Sequence, residues 1–515
     1  QGHQFEYYED WGEALVSKSS PVLCVLDIEG SNISVLEGIP SAVSPGQAFW
    51  APADTGLVFV GWFHEPFRLG LKYCANRRSS LFYVDLASGK CDQLSSDSSS
   101  VCSPRLSPDH CRIVYLESGL ILMKCCCSQF DWYTKQTSVV VDVVQRAGDG
   151  MCVCVCVCVF ICYSMLETCC YCPYKRMIIV LFRFILMIIT TIMTVIVMII
   201  TTIIMITAII IITLVVQRVG FLPGKGSESK ISWVTLEESQ PQSDISWQTL
   251  NFSPPPEQDN TQYPGLDFDA LLLKPKDTPA DGKLPLIVMP HGGPHSVLVS
   301  EWILSTAVLC KMGFSVLLVN YRGSLGFGQD NVFSLPGNCG TQDVKDVQFA
   351  VDSVLKQGGF DEQKVAVIGG SHGGFLACHL IGQYPGFYKA CVARNPVTNL
   401  ASMVCCTDIP DWCTVEAGYK YKPDVYLEPA VLVQMLIKKK IKHVAKVMKT
   451  PVLLLLGEDD KRVPNKQGIE YYRALKNLQV PVRVLWYPGN NHSLLKVDAE
   501  SDGFMNGALW IIQHL

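Results

Sequence analysis

Charged side chains are scarce in this chain: they make up 17% of its 515 residues, whereas soluble domains usually carry about a quarter. The shortage excludes an intrinsically disordered protein, because such chains combine high charge with few apolar residues. Basic residues are not in excess either, since 42 lysines and arginines face 47 acidic residues and leave a net charge of −5. A dedicated nucleic-acid-binding protein would normally be basic, so we expect no nucleic-acid partner.

A secretory signal is also missing from the first residues. Residues 1–8 contain neither a basic n-region nor an apolar run. Because residue 1 is Gln rather than Met, we expect the natural N-terminus to lie upstream. The 23 cysteines show no disulfide framework, and without a signal peptide reduced thiols are expected. We therefore predict a cytoplasmic protein.

Hydrophobic residues are abundant, at 49%, and much of the surplus lies in residues 147–217. Residues 152–159 alternate Cys with Val, and residues 184–217 are free of charge and rich in Ile, Thr, Met and Val. An extended Cys–Val strand would place its thiols along one face, whereas a metal site needs thiolates that converge on a tetrahedron. We therefore expect no metal site in this stretch.

Two interpretations of residues 147–217 remain. The uncharged run of 184–217 is long enough for a transmembrane helix. Alternatively, the stretch is a translated intron or similar non-coding repeat, because a TG repeat read in one frame encodes alternating Cys and Val. Single-base changes among ATT, ACT, ATG and GTT codons give the Ile, Thr, Met and Val mixture. We favour the second interpretation, since one cause explains both composition shifts, and we expect membrane contact only if the run of 184–217 is real.

Short apolar runs recur in residues 1–146 at a nearly constant offset. A strand–turn–strand pattern at 23–36 returns 58 residues later at 81–94. A second pattern, which starts at Trp50, returns 56 residues later from Leu106. Repeated all-β units are typical of propeller blades, which are four-stranded sheets. The sequence predicts an incomplete β-propeller of two to three blades in 1–146, with its last strands and a linker in 218–264.

Residues 265–515 alternate strand-like and helix-like segments. Runs that are apolar on both faces are separated by amphipathic stretches such as 342–357 and 466–478. The apolar runs lie at 284–289, 315–319, 365–368, 451–456 and 482–486. Continuous apolar strands that alternate with helices indicate a parallel sheet covered on both faces. We therefore predict a doubly wound, mostly parallel α/β domain over 265–515.

A Gly-Gly-Ser-His-Gly-Gly motif at 369–374 follows one of these strands and precedes an apolar helix. This is the context of the Gly-x-Ser-x-Gly nucleophile elbow, a strained strand-to-helix turn that larger side chains would obstruct. The N-terminus of this helix, beginning with the N–H of His372, offers N–H donors and the positive end of the helix dipole to a developing oxyanion. We therefore predict that Ser371 is the nucleophile of a serine hydrolase.

A serine nucleophile needs a base and an orienting carboxylate, which follow it in α/β-hydrolases in the order acid, histidine. The loop after the 451–456 strand carries Glu458, Asp459 and Asp460, and spacing alone does not choose among them. The loop after the 482–486 strand carries His492, the expected base. The loop after the 284–289 strand carries a Gly-Gly pair at 292–293, which suits an oxyanion hole.

These motifs resemble the prolyl oligopeptidase family of serine peptidases, and within it the acylaminoacyl-peptidase branch. The likeness rests on the elbow, on His-Gly-Gly-Pro at 291–294, on Asn-Tyr-Arg-Gly-Ser at 320–324 and on Gly-x-x-Asp-x-x-Val-Pro at 457–464. It extends to 9–146, where Phe-His-Glu-Pro-Phe-Arg-Leu-Gly at 63–70 is similar. Residues 147–217 lie outside it.

The resemblance implies an α/β-hydrolase domain capped by a β-propeller. It implies a triad of Ser371, Asp460 and His492, because the family pattern selects the third acid, and an oxyanion hole formed by the amides of Gly293 and His372. The implied reaction releases an N-acylated, typically N-acetylated, residue from short peptides through an acyl-enzyme. The resemblance also implies a homo-oligomer, and we expect no cofactor.

Two departures from the family pattern stand out. The propeller is shorter than the family's, and Leu-Ile-Lys-Lys-Lys-Ile at 436–441 stands where the family tends to have a Ser-Pro pair. We interpret the lysines as a solvated helix face. Two other functions remain open: a general carboxylesterase or lipase of the same fold, and an inactive or membrane-anchored product of a faulty gene model.

Overall fold

The fold is described from a computed structural model of the chain, over residues 5–16, 20–74, 76–107, 109–120, 125–146, 218–221, 232–235, 244–277, 282–421 and 450–515. The stretch of 147–217 and the lysine-rich segment of 436–441 lie outside these residues, so their interpretations remain predictions. None of the helices within the described ranges combines the length and the apolar character needed to span a bilayer.

The N-terminal part consists of strands that pair with their neighbours in the chain. β1 (Cys24–Asp27) and β2 (Asn32–Val35) form a two-stranded antiparallel sheet. A four-stranded sheet follows, made of β3 (Val43–Trp50), β4 (Gly56–Phe63), β5 (Ser79–Asp85) and β6 (Cys91–Gln93). The next four-stranded sheet contains β7 (Ser100–Leu106), β8 (Arg112–Ser118), β9 (Cys125–Asp131) and β10 (Thr137–Val141). Both are antiparallel meanders, the form of a propeller blade.

The repeat in the sequence maps onto these sheets. Its first pattern relates β1 and β2 to β5 and β6, the last two strands of the following sheet, so β1 and β2 match the second half of a blade. Its second pattern relates β3 and β4 to β7 and β8. The two complete sheets share an apolar core, in which Val60 and Leu81 belong to the same cluster as Val101, Ile113 and Tyr115. The prediction of an incomplete propeller is confirmed.

The C-terminal part is built on an eight-stranded sheet, preceded by a separate two-stranded antiparallel sheet of β11 (Arg218–Phe221) and β12 (Ser232–Thr235). The sheet has the order β13-β14-β16-β15-β17-β18-β19-β20. Its strands are β13 (Ile245–Phe252), β14 (Phe268–Pro275), β15 (Leu284–Pro290), β16 (Ser315–Asn320), β17 (Phe360–Gly370), β18 (Ala390–Arg394), β19 (Val452–Gly457) and β20 (Val482–Tyr487). In this order every pairing from β16 to β20 is parallel. β14 pairs antiparallel with both of its neighbours, β13 and β16.

Helices cover both faces of this sheet. In chain order they are α1 (Leu304–Lys311), α2 (Gln329–Ser334), α3 (Gln342–Lys356), α4 (His372–Gln383), α5 (Leu400–Met403), α6 (Pro410–Glu416), α7 (Lys466–Asn477) and α8 (Val497–His514). One apolar core lies under α3, α4 and α7. The other lies under α1 and α8. The predicted doubly wound α/β fold is confirmed.

The position of β13 differs from the sequence-based expectation, which placed residues 218–264 with the last propeller strands and a linker. β13 is instead the outermost strand of the eight-stranded sheet, paired with β14 along its whole length. Phe252 at its end stacks on Phe268, with ring centroids 5.2 Å apart. An alternating edge strand has the same local pattern in either domain, so only the long-range pairing identifies its sheet.

Candidate active site

Ser371 occupies the turn between β17 and α4, with φ of 58° and ψ of −121°. A positive φ is strained for a residue with a side chain and persists only where the surroundings hold it. The Ser371 N–H donates to the carbonyl of Arg394 at 2.9 Å, and its carbonyl accepts the Val397 N–H at 3.3 Å. The motif at 369–374 therefore has the strand–turn–helix geometry that its sequence predicted.

Glycines in this turn and in the loop that follows β15 permit a close approach between α4 and that loop. A Cβ on Gly373 would strike the carbonyl of Pro290. A Cβ on Gly292 would lie 3.4 Å from the Cβ of Ser371. The loop of 291–294 thus lies beside the serine, where an oxyanion hole belongs. The use of the Gly293 amide, at a φ of 121°, remains a prediction.

Asp460 and His492 lie on the loops that follow the neighbouring strands β19 and β20. His492 Nδ1 is 2.7 Å from Oδ2 of Asp460, and Oδ1 of Asp460 accepts the Val463 N–H at 2.8 Å. The Asp460 side chain is fully buried, and that of His492 is 11% exposed. A carboxylate can only accept, so the proton is assigned to Nδ1, and Nε2 remains the ring atom that can take a proton from a serine hydroxyl.

The three neighbouring acids have different surroundings. Oε2 of Glu458 accepts the Gly489 N–H at 3.2 Å. Asp459 is exposed, and its backbone N–H donates to the carbonyl of Asn490 at 2.8 Å. The carboxylate bonded to His492 is that of Asp460. The geometry therefore brings together the acid that the family pattern selected and the predicted base.

Asn395, which sequence reasoning did not identify, connects the two loops of the acid and the base. Its Nδ2 donates to the carbonyl of His492 at 2.9 Å, and its Oδ1 accepts the Gly457 N–H at 2.9 Å. Asn395 follows β18 at a φ of 41°. Asn is an ordinary turn residue in this conformation, so no local pattern distinguishes it from other loop residues.

The side chain of His372 is buried behind the elbow. Its Nε2 lies 2.9 Å from Oδ2 of Asp343, whose Oδ1 accepts the Gly340 N–H at 2.7 Å. The His372 ring meets the Trp412 ring edge-on, with centroids 6.4 Å apart. These contacts fix the first residue of α4, and with it the amide predicted to face the oxyanion.

Three potential metal-ligand atoms come within 4.8 Å of one another in this region: the Cys339 sulfur, a carboxylate oxygen of Asp343 and a ring nitrogen of His372. They already have bonding partners. His372 pairs with Asp343, and the thiol of Cys339 donates to Oε2 of Glu416 at 3.4 Å. We therefore assign this cluster to the support of α4.

Ser371 lines a cavity of about 440 Å³ between α1 and α8, with Arg394 and Glu500 among mostly apolar neighbours. A separate apolar pocket beside His372 does not have room for a water molecule. It is lined by Cys339, His372, Phe375, Val397, Leu400, Trp412 and Glu416. A substrate bound at the serine thus has one mostly apolar cavity beside the reacting bond.

Known proteins match both parts of the chain. Residues 301–515 match the prolyl oligopeptidase family, and residues 2–120 match the N-terminal domain of acylamino-acid-releasing enzymes. The acylamino-acid-releasing enzymes of Mus musculus and Homo sapiens are each 54% identical to this chain, over 100% of its length and 72% of their own. Among solved structures, a puromycin-hydrolysing peptidase of Mycobacterium tuberculosis shares the fold, with a TM-score of 0.59, 17% identity, and coverage of 99% of this chain and 83% of that one.

The acidic cluster allows a direct test of the triad. We expect Asp460→Asn to lower kcat by about 10⁴-fold, because an amide cannot hold the His492 ring in the required tautomer. Asp459→Asn and Glu458→Gln are matched controls with the same loss of charge on the same loop, and both should stay near the wild-type kcat. A comparable loss in either control would contradict the assignment of Asp460. Steady-state kinetics on purified variants measure all three.

Proposed function

This chain belongs to the acylamino-acid-releasing enzymes of the prolyl oligopeptidase family, which are serine peptidases, and we propose that it releases an N-acylated amino acid from the blocked end of short peptides. The observation that carries the proposal is the bond between His492 and Asp460 on loops at the same edge of the sheet as the strained Ser371 turn. The sequence likeness to enzymes of this name supports the acylated substrate.

In the proposed reaction, Oγ of Ser371 attacks the carbonyl carbon of the acylated residue while Nε2 of His492 takes the hydroxyl proton. The negative charge on the carbonyl oxygen faces the amides of His372 and Gly293. As the C–N bond breaks, His492 returns the proton to the leaving amine, and the acylated residue remains as an ester on Ser371. Water, deprotonated by His492, then cleaves the ester and restores the serine. Asp460 stabilises the imidazolium in both halves.

The cavity at Ser371 supports a substrate with a neutral N-terminus, because its lining is mostly apolar and includes Ile303 and Phe504. A free ammonium buried against such a lining without a partner would cost several kcal/mol. An N-acyl group removes that charge, and the apolar lining suits it.

The substrate proposal predicts a preference that can be measured. We expect acetyl-alanyl p-nitroanilide to be hydrolysed, and alanyl p-nitroanilide with its free amine to have a kcat/KM lower by about 100-fold or more, since an unpaired buried charge costs several kcal/mol. Ser371→Ala is the control and should show no turnover.

Hydrolysis of a short-chain p-nitrophenyl ester without hydrolysis of the acetylated anilide would instead identify a general carboxylesterase. Absence of both activities, together with absence of labelling by a fluorophosphonate, would identify an inactive product.

We also propose that the chain forms a homo-oligomer. The support is an apolar row on the outer face of α8, where Val497, Met505, Leu509 and Ile512 are between 48% and 80% exposed. Exposed large apolar side chains grouped along one helix mark interaction sites. We expect light scattering to give a multiple of the chain mass, and Leu509→Glu to reduce it. A monomer mass for the wild type would contradict the proposal.

A cytoplasmic location is proposed on the basis of the thiols. Cys310, Cys378, Cys391 and Cys413 are free and buried in the core of the C-terminal part, as expected in a reducing compartment. Fractionation of cells that produce the chain should recover it in the cytosol. Recovery in the membrane fraction would instead support an anchor at 184–217.

A further inference from the structure

A turn near the start of the chain reaches the loops of the catalytic pair. The side chain of Glu13 is almost completely buried, with 1% of the residue exposed. Its Oε1 accepts the N–H of His492 at 2.8 Å, and its Oε2 accepts the N–H of Lys461, the residue after Asp460, at 2.9 Å. One carboxylate therefore bonds the backbone of both catalytic loops, from 479 and 448 positions away in the chain.

Other contacts hold Glu13 in this place. Its backbone N–H donates to Oδ2 of Asp408 at 2.8 Å, and Oδ1 of the same carboxylate accepts from Nε of Arg462 at 2.8 Å. Gly12 lies so close to Asp408 that a Cβ would be 2.5 Å from Oδ2. Arg462 also donates to the carbonyl of Lys72. The turn is thus attached to the C-terminal part independently of the Glu13 side chain.

We propose that Glu13 is a positioning residue of the active site: its carboxylate sets the relative placement of Asp460 and His492, so the N-terminal part completes the catalytic geometry. The inference rests on the proposed roles of Ser371, Asp460 and His492. Two backbone N–H donors converge on this side chain, and only a carboxylate offers an acceptor to each. A glutamine would turn its amide donor towards one of them and leave that bond unmade.

The groups around Glu13 shift the pKa of its carboxyl group. Burial raises the pKa of Glu13 and Asp460 raises it further, against the lowering effect of its two backbone bonds and of His492. The net direction is upward. The neighbouring charged groups are Asp460, His492 and Arg462 on the catalytic loops, and Asp408 before α6. Protonation of Glu13 replaces an acceptor by a hydroxyl, so we expect loss of its bonds on the acid side of the activity profile.

The test compares Glu13→Gln with Glu9→Gln. Glu9 lies in the same segment, and its Oε2 accepts the Arg68 N–H at 3.2 Å, a contact within the N-terminal part. We expect Glu13→Gln to lower both kcat and the rate constant of Ser371 labelling by a fluorophosphonate by about 10- to 100-fold, the effect of a small misplacement of catalytic groups. KM should change little, and Glu9→Gln should stay near wild type.

The pH profile separates positioning from general stability. In Glu13→Gln the acid limb of the labelling rate should move to lower pH, because a titrating group and a negative charge beside His492 are both lost. In Glu9→Gln it should stay in place. Wild-type rates and profile in Glu13→Gln would overturn the proposal, as would equal losses in both variants accompanied by equal losses of thermal stability.

A third variant covers the case in which Glu13→Gln does not fold. Glu13→Asp keeps both acceptor oxygens and should label Ser371 faster than Glu13→Ala, per folded molecule counted by circular dichroism. Equal rates in the two would overturn the proposal. Fluorophosphonates report an assembled triad whatever the peptide preference, so a wrong substrate assignment does not affect this outcome.

Discussion

The parallel pairing of β17, β18, β19 and β20 is the constraint on which the active site depends. Parallel strands end at the same edge of a sheet, and here four successive neighbours deliver Ser371, Asn395, Asp460 and His492 to that edge. Adjacent strands lie about 4.8 Å apart, so the outer loops must lean towards the serine. Asn395 and the bond between His492 and Asp460 provide this connection.

The strained turn at Ser371 requires a rigid surrounding. A non-glycine residue in such a conformation costs about 1–3 kcal/mol, which the neighbouring structure must offset. The offset comes from the close packing of Gly373 against Pro290 and from the buried bond between His372 and Asp343. The serine is partly exposed at the end of the sheet, whereas His372 and Asp343, which fix its backbone, are buried.

The contact between the two parts of the chain includes a buried ion pair. Arg77 pairs with Asp411 at 2.7 Å, with both side chains less than 10% exposed, and Asp411 precedes Trp412 at the pocket beside His372. Loss of one partner of such a pair leaves an unpaired buried charge, typically at a cost of about 3–5 kcal/mol. Removal of the N-terminal part would therefore destabilise the C-terminal part, because Asp411 would lose its partner Arg77. It would also change how substrate reaches the site.

The sequence by itself determined the features that depend on neighbouring residues. The elbow needs a strand, glycines and a helix in succession, and the blades repeat because each is a local meander. The residues alone left three acids open, and the family pattern selected Asp460. Only the tertiary structure decided that β13 joins the eight-stranded sheet, that Asn395 joins two loops and that Glu13 bonds the backbone of the loops that carry Asp460 and His492. The physical reason is that these contacts join distant segments through backbone groups, which every residue carries, so no side-chain pattern marks the partner.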